Sequence, residues 1–326
     1  MSEYGKNDNM GLFINIIKSI FRKPEPAVIP LEPPQEKKPS KDVALVLGGG
    51  GARGYAHIGA IETLEAYGYH IKSISGNSMG ALIGGLFAAG KLQEAKNAID
   101  GLTKKGILKI FNISFGLDHI ASGENLMALL DELIGDTRIE DLPINFCCNA
   151  SDVVSGKEFV FREGSLKDAI RASISIPCLF KPFKMGEHIF VDGSVHNTLP
   201  LDKIERNDGE LLVAVNVSAP DDEPFQAYLK KYGEPKNSVD KSIWNKIPFL
   251  KSELSANYMN MALRVLKMSV QNNTQMALKI TPPDIYVEVP MNRFSLFDFD
   301  KGAEIIQYGR QIMENALNDW EDKLNK

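Results

Sequence analysis

Two short apolar runs, each closed by a glycine-rich turn that opens a helical pattern, constrain this chain more than any other feature. Val43–Leu47 (VALVL) ends in Gly48-Gly49-Gly50-Gly51, and a helical pattern over Ala52–Tyr67 follows. Ile71–Ser75 (IKSIS) ends in Gly76-Asn77-Ser78-Met79-Gly80, and Met79–Ala89 reads as a helix of small apolar residues. A run that is apolar at every position suits a strand covered on both faces. Successive strand–turn–helix units call for a mostly parallel sheet with helices on both sides, an α/β architecture. Further strands are expected at Ile144–Ala150, Glu158–Phe161, Ile189–Val191, Leu211–Val217 and Ile285–Val289. Further helices are expected at Leu126–Leu133, Leu166–Ser173, Ile243–Val270 and Ala303–Asn318.

Composition narrows the class. With 44% hydrophobic and 24% charged residues, the 326-residue chain is that of an ordinary globular protein. Its formal net charge of −5 argues against a nucleic-acid partner. No stretch approaches the roughly 20 apolar residues of a membrane-spanning helix. Cys147, Cys148 and Cys178 are too few for a disulfide framework and read as small buried hydrophobes in a reducing compartment. No cluster suggests zinc, and no cofactor is expected.

Residues 1–41 differ in character from residues 42–326, which are expected to form one α/β domain. Residues 10–23 (MGLFINIIKSIFRK) carry Leu12, Phe13, Ile16, Ile17, Ile20 and Phe21 on one helical face, with Lys18, Arg22 and Lys23 adding positive charge. Residues 24–40 contain six prolines and read as an extended linker. The basic residues follow the apolar run and no small-x-small cleavage site succeeds it, so a secretory signal is not expected. The location expected is cytoplasmic. Two readings of the helix stand: one that lies peripherally on the inner face of an anionic membrane, and one that docks on the body or a partner.

The first turn contains Gly49, Gly51 and Gly54 in the spacing G-x-G-x-x-G. Such a turn presents bare backbone N–H groups at a helix start and suits a pyrophosphate or a transient oxyanion. A dinucleotide site also wants a carboxylate at the end of the second strand. None stands there, so the nucleotide reading is weak; a purely structural turn is another alternative.

The second turn, Gly76-x-Ser78-x-Gly80, is G-x-S-x-G between a strand and a helix, the context of a nucleophile elbow. Parallel neighbouring strands bring both turns to one edge of the sheet. The N–H groups of Gly49, Gly50 and Gly51 can then face the oxygen that gains charge when Ser78 attacks a carbonyl. Arg53 has two readings, a support of this loop and a surface ion-pairing residue. A base is needed, and none of His57, His70, His119, His188 and His196 stands in a dedicated context; His196, after a strand and turn, is the best decoy. Asp192, at the end of the run Ile189–Val191 and followed by Gly193-Ser194, is the better candidate, although Asp-Gly is also a common turn. The Met- and aromatic-rich stretch Ile243–Leu266 reads as a core helix or an acyl-binding wall, and Pro220–Lys241 as a loop that could flank the site.

Taken in order, Leu45–Ala60 (LVLGGGGARGYAHIGA), Gly76–Leu86 (GNSMGALIGGL), Ser173–Phe180 (SISIPCLF) and Phe190–Pro200 (FVDGSVHNTLP) resemble the patatin-like phospholipases, specifically their bacterial branch. Ser295–Gly309 resembles the run into that family's closing helix. The resemblance implies a three-layer sandwich with a mostly parallel central sheet. It also implies a Ser–Asp dyad without histidine: Ser78 as nucleophile, Asp192 as general base, Gly49–Gly51 as oxyanion hole and Arg53 beside it. A lipid ester is the implied substrate. Ser194 departs from the Gly or Ala usual after Asp-Gly, and its small size predicts little damage. Gly48 stands where plant relatives carry Asp. An acyltransferase with the same dyad, and a non-catalytic lipid-binding protein that keeps the fold, remain alternatives. The sequence carries no signal for oligomeric state.

Overall fold

The computed structural model describes residues 40–99, 110, 122–177, 179–221 and 253–325. The helix expected at 10–23, the linker at 24–40 up to residue 39, His119, Cys178, nearly all of the 220–241 loop and residues 243–252 lie outside the described residues.

The chain enters the core at once. β1 (Asp42–Leu47) has β2 (His70–Asn77) on one side and β7 (Leu211–Ala219) on the other, both parallel to it. β3 (Asn145–Asp152) extends the parallel set beyond β2, and β8 (Ile285–Pro290) extends it beyond β7. β4 (Lys157–Phe161), β5 (Phe183–Met185) and β6 (His188–Asp192) join antiparallel at the β3 end. β5 escaped sequence reading because three residues carry too little periodicity.

Strand alternation divides the core between the two faces. Val43, Leu45 and Leu47 join the larger hydrophobic cluster. It is shared with α1 (Tyr55–Ala66), α2 (Met79–Ala88), α4 (Glu124–Ile134), α5 (Leu166–Ser173) and α7 (Gly302–Leu324), with α3 (Leu92–Ile99) following α2 in sequence. Ala44 and Val46 point the other way, into a smaller cluster with Leu199, Leu201, Leu212 and Ala214. Ala277 and Leu278 of α6 (Glu253–Ile280) cover that face. Helices therefore lie on both sides of the sheet.

α6 continues ten residues past the Val270 end expected from sequence. The polar stretch 271–275 weakens the apolar pattern, but Thr274 is buried and donates to the Val270 carbonyl at 2.8 Å. Burial of Val270, Thr274, Ala277 and Leu278 against the sheet overrides the weak local propensity of Asn and Thr. The first helix also differs: Gly51–Gly54 form a 3-10 turn, and α1 begins only at Tyr55. Among the described residues no helix is long and apolar enough to cross a membrane.

Candidate active site

Strand register brings Ser78 and Asp192 together. β4 occupies one edge of β3 from Cys148 to Asp152. β2 pairs with β3 up to Asn77↔Asn149, and β6 pairs with it from Asp192↔Ala150 onward, so both use the opposite edge. β2 runs parallel to β3 and β6 antiparallel, so their C-terminal ends meet head to head at adjacent positions of β3. The sequence places Asp192 at the C-terminal end of the short strand Ile189–Val191, with no direction assigned to that strand. The structure puts it there through an antiparallel one that continues the track of β2.

The geometry at this junction is tight. Ser78 Oγ donates to Asp192 Oδ2 at 2.5 Å, and both residues are almost fully buried. Ser78 has φ 53° and ψ −119°, and among the described residues it is the one non-glycine with positive φ. Its N–H donates to Ser173 Oγ at 2.8 Å, at the C-terminal end of α5. The flanking glycines are required by contact. A Cβ on Gly76 would lie 2.6 Å from the Gly80 carbonyl oxygen, and one on Gly80 would collide with the Leu47 carbonyl. α2 begins at Met79, so the positive end of its dipole lies at Ser78.

Burial pushes the Asp192 carboxyl above its ordinary value, while hydrogen bonds from Ser78 and from the Ser194 N–H pull it back down. The Ser194 N–H donates to Asp192 Oδ1 at 2.8 Å, leaving Oδ2 for Ser78. A dry carboxylate is a stronger base than one in water. Gly193 admits no side chain: a Cβ there would strike Asn77 Oδ1 and approach the Asn149 carbonyl at 2.6 Å.

The first glycine turn packs directly on this pair. A Cβ on Gly49 would lie 3.2 Å from Ser78 Cβ and 2.6 Å from Ser194 Oγ. Its N–H is engaged, donating to the Thr198 carbonyl at 3.0 Å, which narrows the expected set of oxyanion donors. The N–H groups of Gly50 and Gly51 have no hydrogen-bond partner among the described residues. Gly51 takes φ 57°, open to glycine at no steric cost, and Leu296 closes over it. A Cβ on Gly54 would collide with Met79 Cβ, so this glycine lets the two turns touch.

Arg53 is buried and supports the loop; the surface reading does not hold. Nε donates to the Val217 carbonyl at 2.6 Å, and one terminal nitrogen donates to the Phe294 carbonyl at 3.1 Å. The other reaches Ser218 Oγ at 3.4 Å, and Ser218 Oγ donates to the Gly49 carbonyl at 2.7 Å. Burial lowers its pKa to about 10, opposed by Asp221 and Asp298, so it stays charged at neutral pH.

No described histidine contacts Ser78 or Asp192. His57 is fully buried, and Nε2 lies 2.8 Å from the Gly48 carbonyl; a carbonyl only accepts, so Nε2 carries the proton. Burial lowers its pKa to about 4 against that hydrogen bond. His188 Nδ1 contacts Asp152 at 2.9 Å and His196 Nδ1 contacts Ser151 Oγ at 2.8 Å. His70, exposed, lies 3.4 Å from Asp42. Sequence reasoning missed Asn77, Ser173, Thr198, Ser218 and Asn273. Asn77 is the variable position of G-x-S-x-G, and Ser173 at a helix end reads equally well as a cap.

Residues 45–203 match the family described as patatin-like phospholipase. An uncharacterized NTE family protein of Mycobacterium tuberculosis is 40% identical over 179 residues, which cover 55% of this chain and 50% of that protein. Lysophospholipase NTE1 of Debaryomyces hansenii is 27% identical over 292 residues, covering 86% of this chain and 18% of that protein. The chain thus spans about half the length of the mycobacterial relative and about a fifth of the yeast one. Among solved structures, VipD from Legionella pneumophila matches with a TM-score of 0.43 and 16% identity, over 60% of this chain and 52% of that one.

Proposed function

Residues 45–203 belong to the patatin-like phospholipase family, and from that premise we propose that the protein is a serine acylhydrolase that cleaves carboxylic esters of lipids. The observation that carries this reading is the 2.5 Å hydrogen bond from Ser78 Oγ to Asp192 Oδ2 in a buried site. The bond is already aimed along the path the proton must take. Ser78 Oγ attacks the ester carbonyl carbon as its proton passes to Asp192 Oδ2. The carbonyl oxygen becomes an oxyanion beside the Gly50 and Gly51 N–H groups, which are fixed before reaction and so need no reorganisation. Collapse of the intermediate breaks the bond to the alcohol, which takes the proton from Asp192, and an acyl-Ser78 ester remains. Water then attacks that ester and gives its proton to Asp192. Collapse releases the fatty acid, and the proton returns to Ser78.

The positive φ of Ser78 supports the same role, because strain at a buried serine persists where the surroundings hold it for function. The dyad is tested by substituting its members. Ser78→Ala and Asp192→Asn should each remove ester hydrolysis by about a thousandfold or more, with unfolding midpoints near wild type. Near-normal hydrolysis by a folded Asp192→Asn variant would contradict Asp192 as the base. Product analysis with and without an added alcohol separates hydrolysis from transfer.

A further inference from the structure

We propose that the cavity between α4, α5 and β5 is a binding site for a phosphoryl group, held by the Arg171 guanidinium together with Lys181 and Lys184. Binding there does not depend on the acylhydrolase reading; placing a lipid headgroup beside the dyad does.

The cavity measures about 390 Å³, and its lining includes Glu124, Met127, Arg171, Lys181, Phe183 and Lys184. Arg171 is only 4% exposed. A buried charge is normally paired with an opposite one. Here the hydrogen-bond partners are all neutral. Nη1 donates to Ser175 Oγ at 2.6 Å, and Nη2 donates to the Ser122 carbonyl at 3.2 Å and the Lys181 carbonyl at 2.9 Å. The Ser175 hydroxyl gives its own proton to the Arg171 carbonyl at 2.8 Å, so towards Nη1 it is an acceptor. A guanidinium carries five N–H donors. The Nε–H and one Nη1–H therefore take no acceptor among the described residues. Gly123 leaves the Nε edge uncovered: a Cβ there would stand 3.1 Å from Nε and 3.3 Å from Cζ. Arg53 gives the contrast. Asp221 and Asp298 act against its burial, whereas burial alone lowers the Arg171 pKa.

The rest of the lining has the same sign. Lys181 and Lys184 are exposed and form no ion pair among the described residues. Glu124 opposes these three cations, and it sits where α4 begins, at the positive end of that helix's dipole. A fixed guanidinium fork with two mobile ammonium groups matches the oxygens of a phosphate.

Strand register puts the cavity beside the dyad. Phe183 pairs with Phe190, two residues before Asp192 on β6. One strand spacing across and two residues along place Phe183 about 8 Å from Asp192. Ser175, which accepts from Arg171, also accepts the Asp192 N–H through its carbonyl at 2.9 Å. Ser173, two residues after Arg171 on α5, accepts the Ser78 N–H.

Calorimetric titration of the full chain at constant ionic strength tests the site. The probes are inorganic phosphate and glycerophosphoglycerol, a lipid headgroup without acyl chains. Wild type should bind saturably. Lys181→Gln/Lys184→Gln, with a thermal midpoint near wild type, should bind at least about tenfold more weakly. Saturation by glycerophosphoglycerol assigns the site to a lipid headgroup, and saturation by phosphate alone assigns it to a soluble phosphate. No saturable binding of either probe, or equal binding by wild type and the double variant, overturns the proposal. If the double variant does not fold, the two single variants should each weaken binding, and wild-type affinity in both overturns it equally. A protein that binds a probe but hydrolyses no ester loses the acylhydrolase reading and keeps the site. One that hydrolyses esters and binds neither probe loses the site alone.

Discussion

Ser78 is held at φ 53°, a conformation that costs a non-glycine residue about 1–3 kcal/mol. The Ser173 hydroxyl on its N–H and the close contacts of Gly76 and Gly80 fix it there. His57 is fully buried and bonded to a backbone carbonyl away from Ser78 and Asp192. Its Nε2–H braces the Gly48 carbonyl from beneath the glycine turn, and burial lowers its pKa to about 4. In the unfolded chain histidine titrates near 6.5. Above that pH both states hold the neutral ring and the difference contributes nothing; below it the unfolded state gains the proton first, so stability falls until about pH 4. The expected loss between pH 7 and pH 4 is on the order of 3 kcal/mol from this residue. Urea midpoints measured across that range should fall more steeply in wild type than in His57→Gln, which keeps a donor for the carbonyl. Equal slopes would show that the ring is not neutral and buried as described. Ser78, Asp192 and the glycines around them were legible because their spacing is specific. Asn77, Ser173 and Ser218 were not, since a buried Asn or Ser carries no spacing signature until the fold supplies its partner.

At the scale of elements, the strand ends decide where Ser78 and Asp192 meet. β1 and β2 were readable from sequence because central strands are apolar at every position. The antiparallel direction of β6 was not, because a five-residue strand looks the same in either orientation. Its head-to-head approach to β2 along β3 is a property of register, visible only once Asp192 is seen opposite Ala150. The helix that carries the glycine turn has its own requirement. α1 crosses α7 where Gly59 faces Ile306 and Arg310, and Gly309 faces Ala56, with backbone against backbone. A Cβ on Gly309 would strike the Ala56 carbonyl, and no flexible side chain is there to yield. Gly309→Ala is therefore expected to destabilise the protein by about 3 kcal/mol, at the upper end for overpacking. Chemical denaturation measures this; a change below about 0.5 kcal/mol would contradict so close a crossing. Both glycines fall in segments that resemble the family, but their pairing across 250 residues is invisible to local pattern.

At the scale of the molecule, one sheet serves two purposes. Its parallel centre buries the alternating faces of β1 in two hydrophobic clusters, and its C-terminal edge carries both glycine turns. The layered α/β architecture followed from the succession of apolar strands and amphipathic helices. The extent of α6 did not, because burial of Thr274 and hydrogen bonds from Asn273 outweigh local propensity. No described histidine contacts Ser78 or Asp192, so the proposed mechanism gives the part of the base to a buried carboxylate, dried by the surrounding layers. The central claim is that Ser78 is an activated nucleophile. Labelling the full chain with a fluorophosphonate probe, followed by peptide mass analysis, tests it most directly. The account expects a single adduct on the peptide containing Ser78, absent in Ser78→Ala; an unlabelled wild-type protein, or equal labelling of the Ser78→Ala variant, would contradict it.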